Sequence, residues 1–312
     1  MIGQFTLRET IGMGSSATVK VATCADKPKT KYAAKLIQLE NPKTSQYLED
    51  KIRSEIEIQS QLNNQHIIKL VGSETSTLSR NEDGSFEKVG VIFSEYAPYG
   101  NMFDIIKNGG GLGAEITRYY ARQLVMAIHH IHTEGYAHKD IKLENILLDK
   151  AFNAKITDFG LSTEIEGSDR SGFERTVFGG SRGYMAPEII QKVPYSGQVV
   201  DLFAFGVLLF TMYAGVPPFA NAEIGDPHYK LLAFNKTKEF WAAHAESRPT
   251  GFFSDSFKDL ITSMLSYAPY MRPCLADVCG HSWFLSSQVA TVKQVRAEMK
   301  YRHKRIARSS CL

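Results

Sequence analysis

Cysteine is scarce in this 312-residue chain: only Cys24, Cys274, Cys279 and Cys311 occur, and none stand at a metal or redox spacing. That speaks against a zinc module or a disulfide framework. A reduced intracellular compartment, cytoplasmic or nuclear, is the expectation. The opening Met1-Ile2-Gly3-Gln4 lacks the basic and apolar regions of a secretory signal. No apolar run is expected to reach the length of a membrane span. The cluster His129, His130, His132 is not expected to bind metal, because neighbouring helical histidines point to different faces. A basic body is also lacking. The net charge is +3, but residues 289–312 hold seven Lys or Arg against one Glu, which leaves −3 for the rest. Nucleic-acid binding calls for a basic body with interleaved aromatics, so no nucleic-acid partner is expected.

What is present suits a globular chain. Hydrophobic residues make up 43% and charged residues 22%, ordinary values for a packed domain or two lobes. Alternating apolar residues predict strands at Gln4–Ile11, Thr18–Thr23, Lys31–Ile37, Ile67–Val71 and Val89–Phe93. A polar link, Thr75–Lys88, separates the last two and carries the turn signal Asp83-Gly84. Helical spacing predicts helices at about 45–62, Ala114–His132, Lys230–Phe240, Ser256–Tyr267 and Leu275–Gly280. Val199–Tyr213 is almost wholly apolar apart from Asp201 and Thr211, and reads as a buried helix. Ile146–Asp149 and Ala154–Thr157 read as a short hairpin.

Two motifs stand out. The first is His138-Lys139-Asp140-Ile141-Lys142-Leu143-Glu144-Asn145; the second, thirteen residues past Asn145, is Asp158-Phe159-Gly160. A single Asp or Asn would mean little, since both residues dominate turns. The ordered pair is more specific. A carboxylate at Asp140 can accept the hydrogen bond of a substrate hydroxyl. Lys142 can neutralise charge on a phosphoryl group, and Asn145 and Asp158 offer the oxygen ligands magnesium prefers. Upstream, Ile11-Gly12-Met13-Gly14-Ser15-Ser16-Ala17-Thr18-Val19 is glycine-rich, and Gly12 and Gly14 let backbone approach phosphates closely. The next strand places Lys35 between apolar neighbours.

In this order and spacing the motifs resemble those of eukaryotic protein kinases, over about residues 4–285. Lys139 stands where Arg is usual, and Ala17 replaces the third glycine. Lys-Leu-Glu-Asn, the hinge and the closing helices look most like the Ser/Thr kinases of the calcium/calmodulin-dependent and energy-sensing group. The stretch Glu55–Leu62 also resembles Aurora kinases. The resemblance implies a bilobal α+β fold: a small five-stranded antiparallel sheet with one helix, and a larger, mostly helical lobe. The expected divisions are an N-terminal lobe over 1–94, a hinge over 95–98, a C-terminal lobe over 99–288 and a basic tail over 289–312.

It also implies ATP and Mg2+ as cofactors, with catalytic residues Asp140, Lys142, Asn145, Lys35 and Glu55, and Glu57 as the alternative partner of Lys35. The implied nucleotide-binding set is Ile11, Gly12, Gly14, Val19, Ala33, Lys35, Ser94, Glu95, Ala97, Leu147 and Asp158, with Asn145 and Asp158 on the metal. Ser94 falls at the gatekeeper position. Gln59 takes a place usually apolar, which predicts a less firmly docked helix. Asp201 resembles the residue bracing the catalytic loop, and Arg272 the one pairing with Glu188 of Ala186-Pro187-Glu188. Thr176 and then Ser171 are the candidate regulatory phosphosites. Lys142 with Gly180-Ser181 favours Ser/Thr acceptors. The expectation is a monomeric enzyme acting on protein substrates, with an acidic or regulatory partner for the tail. A pseudokinase scaffold, a small-molecule phosphotransferase and a binding module using the tail are the rival readings. In the tail, Val292, Val295 and Met299 share a helical stripe, and a solvated or disordered end is the bland expectation.

Overall fold

The computed structural model describes residues 2–14, 17–39, 41, 43–80, 84–165, 172–174 and 177–309, with side chains up to 306. The chain forms two compact units. One comprises Met1–Pro98 together with Asp158–Gly160; the other comprises Tyr99–Thr157 and Leu161–Leu312. Residues 95–98 therefore sit with the first unit, and the basic end belongs to the second.

The first unit is a five-stranded antiparallel sheet of β1 (Phe5–Met13), β2 (Thr18–Cys24), β3 (Lys27–Gln38), β4 (Leu70–Arg80) and β5 (Phe86–Glu95), in the order β1-β2-β3-β5-β4. The two-residue period of a strand explains its layers. Val89, Val91 and Phe93 join Phe5, Ala22, Ala34 and Leu36 in one core cluster. Ile92 points the other way and packs with Ile37, Leu39 and Ile52 of helix α1 (Ser45–Gln61). Gly90 lies on that second face. A Cβ there would stand 2.4 Å from Ile52 Cδ1, so glycine lets α1 approach the sheet.

Strand β4 departs from expectation. It runs from Leu70 to Arg80 and pairs with β5 as far as its last residue, Arg80 opposite Phe86, so most of the expected polar link is ladder. An edge strand faces water along one side and one face, so polar side chains suit it and hide it from a hydrophobicity reading. Ile67 and Ile68 precede the strand as buried loop residues. Of the turn pair, Asp83 lies outside the described residues.

The second unit holds helices α2 (Met102–Gly109), α3 (Gly113–Thr133), α4 (Pro187–Ile190), α5 (Gly197–Ala214), α6 (Pro227–Ala233), α7 (Thr237–Ala245), α8 (Asp255–Met264), α9 (Leu275–Gly280), α10 (Ser282–Leu285) and α11 (Val292–Ser309). Two small ladders, β6 (Tyr136–Ala137) with β9 (Thr163–Glu164) and β7 (Ile146–Leu148) with β8 (Ala154–Ile156), bracket the loop between α3 and α4. Helix α5 is long and apolar enough to cross a membrane, contrary to the expectation that no run would be; it is buried along nearly its whole length as the unit's core helix. Its end is set by Gly215 at φ 80°, where a Cβ would lie 2.4 Å from the Gly111 amide nitrogen. The single helix expected over Lys230–Phe240 is two. Asn235 at φ 57° takes the left-handed conformation that a helix cannot continue through, and α7 restarts at Thr237.

From Val292 to Ser309 the basic end is helix α11, and it packs on the second unit. Val295 and Met299 of α11 are buried, while Val292 is 48% exposed and falls off the seam. The Arg302 guanidinium donates to the carbonyls of Gly110 (2.5 Å) and Gly111 (2.9 Å) just past α2, and to Glu298 (2.6 Å). The His303 ring meets the edge of Tyr99, which stacks on Phe152. Lys293, Arg296, Lys300, Lys304 and Arg305 line the exposed side.

Candidate active site

In the first unit, Lys35 on β3 reaches Glu55 on α1. Its ammonium lies 2.7 and 3.0 Å from the two carboxylate oxygens and 2.7 Å from Asp158 Oδ1. Glu55 is buried and Glu57 is exposed, which settles the choice between them. Burial alone would push the Lys35 pKa down; the Glu55 and Asp158 carboxylates overcome that and hold it above its ordinary value. Asp158 itself sits at φ 70°, a backbone conformation that costs energy outside glycine and that a functional site can retain. Its neighbour Gly160 would place a Cβ 3.2 Å from Glu55 Oε2.

Helix α1 is docked by a polar contact as well as apolar ones. The buried Gln59 amide donates to the Ile68 carbonyl at 2.9 Å. The looser docking expected of a polar residue is therefore not what the contacts show, since its donor is satisfied inside the core.

The glycine-rich segment joins β1 to β2, with the Gly14 amide donating to the Ala17 carbonyl at 2.8 Å. Among the described residues, Cβ atoms at Gly12 and Gly14 would meet nothing nearer than Val19 Cβ at 3.7 Å and the Ala17 carbonyl at 3.6 Å. Packing of the described residues therefore does not require these glycines, which suits a backbone that something else approaches closely. Ile11 is exposed at the end of β1 and Val19 pairs with Lys35. Ala33 lies opposite Ser94, which is half-buried on β5. Glu95 ties the following segment down: its amide donates to the Lys69 carbonyl and its side chain accepts from the Lys69 amide. Ala97 follows, half-buried.

In the second unit the Asp140 carboxylate gathers donors. Its Oδ2 accepts from Lys142 Nζ (2.6 Å) and Asn145 Nδ2 (3.0 Å), and its Oδ1 accepts from the Ser181 amide and hydroxyl, both 3.2 Å. Lys142 also donates to Ser181 Oγ at 2.7 Å. Asn145 donates a second time through Nδ2, to the Asp140 carbonyl at 2.9 Å, so both bonds use nitrogen and turn Oδ1 away from them. Leu147 sits on β7, bridged to Asn101. No cluster of three His, Cys, Asp or Glu that could hold a metal occurs among the described residues. Asn145 in the second unit and Asp158 in the first each carry a side-chain oxygen of the hard kind that magnesium takes.

A model of the protein kinase domain matches residues 5–284. The chain belongs to the protein kinase family. Its relatives include "NUAK family SNF1-like kinase 1" of Homo sapiens, 34% identical over 90% of this chain and 38% of that protein. "CBL-interacting protein kinase 31" of Oryza sativa subsp. japonica is 31% identical over 91% of this chain and 58% of its own length. "CBL-interacting serine/threonine-protein kinase 26" of Arabidopsis thaliana is 28% identical over 95% and 62%. The chain thus spans less than two thirds of each of these curated relatives. The names agree with the resemblance to the calcium/calmodulin-dependent and energy-sensing group.

Within this kinase domain, bracing residues take up their places. Asp201, wholly buried in α5, accepts from the amides of His138 (2.8 Å) and Lys139 (2.7 Å) and contacts His132 Nε2 at 2.9 Å. Burial opposes its charge, yet the His132 and His138 interactions keep its pKa below the ordinary carboxylate range. His132 thus leaves the histidine run to serve as a buried partner. Arg272 grips Glu188 with two bonds of 2.6 and 2.8 Å. Thr176 and Ser171 lie outside the described residues. Sequence reasoning missed Glu174, which meets Lys139; an isolated acid in a polar loop carries no periodic signal.

Proposed function

We propose that this chain transfers the γ-phosphoryl group of ATP, with magnesium, to Ser or Thr hydroxyls of protein substrates. The observation that carries the reading is the Asp140 carboxylate, held by Lys142 and Asn145 while it accepts the Ser181 hydroxyl. That last bond is the kind a substrate hydroxyl makes with a catalytic carboxylate. Asp140 orients the attacking oxygen and takes its proton as the new P–O bond forms and the bond to the departing ADP breaks. Lys142 offsets charge on the phosphoryl oxygens in transit. Lys35, fixed by Glu55, is suited to hold the non-transferred phosphates, and the Gly12–Gly14 backbone to cover them. Magnesium, when bound through Asn145 and Asp158, supplies further charge neutralisation. The serine/threonine relatives and the placing of Ser181 between Lys142 and Asp140 support hydroxyl acceptors of that class.

The test is Asp140→Asn. Asn preserves shape, so the variant keeps the wild-type unfolding midpoint while peptide phosphorylation falls by several orders of magnitude. Near-normal turnover by the folded variant would refute the role. Wild-type protein that binds ATP without consuming it would favour a pseudokinase scaffold, and phosphorylation of small molecules alone would favour the phosphotransferase reading.

A further inference from the structure

Lys139 departs from the family pattern, and its surroundings are built around that departure. Its backbone takes φ 63°, a conformation retained only where neighbours hold it. The holding bond is its amide to Asp201 Oδ1. Its side chain is buried, 2% exposed, with the ammonium 3.4 Å from Glu174 Oε2 and 5.8 Å from the centre of the Tyr195 ring. Glu174 is itself clasped. Its amide donates to the Tyr195 carbonyl at 2.7 Å, and the Tyr195 amide returns the bond at 3.1 Å. Its second carboxylate oxygen accepts the Val177 amide at 3.2 Å, and the Tyr195 hydroxyl donates to the Val177 carbonyl. Three residues on, Gly180 at φ 126° lies against the Lys139 backbone: a Cβ there would stand 3.2 Å from the Lys139 carbonyl. Ser181 then reaches Asp140 and Lys142. A continuous series of contacts joins Glu174 to the catalytic carboxylate.

We propose that Glu174 is a positioning residue for phosphoryl transfer: its carboxylate is the resident anion for Lys139 and sets the segment 177–181 against Asp140 without a phosphate on the chain. The inference rests on the proposed kinase activity. A buried ammonium needs an anion close by. A lysine presents a point charge, which one carboxylate oxygen satisfies; the planar fork of an arginine is suited to bidentate phosphate. Glu174 spends its other oxygen on the Val177 amide, so one carboxylate neutralises the cation and fixes the segment together. Such a carboxylate is part of the chain itself, whereas a phosphate must be added.

The experiment compares full-length wild type, Glu174→Gln and Glu174→Asp. Each is treated with phosphatase and shown by intact mass to carry no phosphate. Unphosphorylated wild type is expected to be active. Glu174→Gln should lose at least tenfold in kcat with KM for ATP unchanged within about twofold, because Lys35, Glu55 and Asp158 are untouched. Glu174→Asp should recover part of the loss, since the charge remains on a shorter arm. Hydrogen exchange at the Val177 amide should be faster in Glu174→Gln, a readout that requires no turnover. Wild type active only once Ser171 or Thr176 is phosphorylated would overturn the proposal, as would Glu174→Gln with unchanged kcat or unchanged Val177 exchange. If wild type transfers no phosphoryl group in any state, the kinase reading fails. The Val177 exchange then decides separately whether Glu174 fixes the segment.

Discussion

Met299→Ala tests whether the basic end is part of the folded domain. Met299 is fully buried on α11, one turn from buried Val295 and three residues before Arg302, whose guanidinium clamps the Gly110 and Gly111 carbonyls. Truncating a buried Met to Ala removes transfer free energy and leaves a cavity, together about 2–5 kcal/mol. A solvated tail would give about 0.5 kcal/mol or less. Both tryptophans, Trp241 and Trp283, lie in the second unit, so their fluorescence follows the unit that α11 joins. With a urea dependence of about 3 kcal/mol per molar, the midpoint should fall by roughly 0.7–1.7 M. Exposed Lys300→Ala is the control and should barely move it. Because the seam is apolar, the shift should be alike at low and high salt, whereas docking of a basic tail on an acidic body would weaken with salt. A Met299→Ala midpoint equal to that of Lys300→Ala would refute the docking.

Three further outcomes follow from particular contacts. Arg272→Ala leaves Glu188 buried without its bidentate partner and should cost about 3–5 kcal/mol in urea unfolding; a loss below about 1 kcal/mol would show the pair to be dispensable. Burial, with His228 beside it, pushes the His244 imidazole down to about 4 from an ordinary 6.5. The unfolded chain therefore takes up the proton first, and stability should decline as pH falls from 6.5 towards 4. His244→Phe should flatten that part of the profile, and an unchanged slope would rule His244 out as its source. Ser94, which the family resemblance places at the gatekeeper position, is a small residue half-buried opposite Ala33. ATP-competitive inhibitors with a naphthyl-sized group should bind Ser94→Met at least tenfold more weakly, about 1.4 kcal/mol, with ATP affinity moving less. Equal inhibitor affinity would show that no open volume lies behind the site.

Much of this protein is decided by the sequence alone. The two-residue alternation of β5 fixes which of its residues face each core, because a strand side chain has only two directions to take. Asp140, Lys142 and Asn145 lie within six residues, so local backbone brings them together with little help. The positive φ at Asn235, which splits one expected helix in two, is likewise a local event, but one that periodicity does not register. Other features needed the tertiary structure. Glu55 and Glu57 are equivalent on paper; only the approach of α1 to β3 buries one and exposes the other. Most of strand β4 is too polar to read as a strand because its edge faces water and what stabilises it is the ladder with β5. Asp158 belongs to the first unit although its flanking segments belong to the second, a placement drawn by Lys35 from 123 residues away. The cationic C-terminal stretch reads as a solvated end because charge dominates its composition. Its docking depends on two apolar side chains and on carbonyls at Gly110 and Gly111, which are free to accept only because α2 ends there. Glu174 meets Lys139 by the same kind of long-range closure, which no spacing in the chain announces.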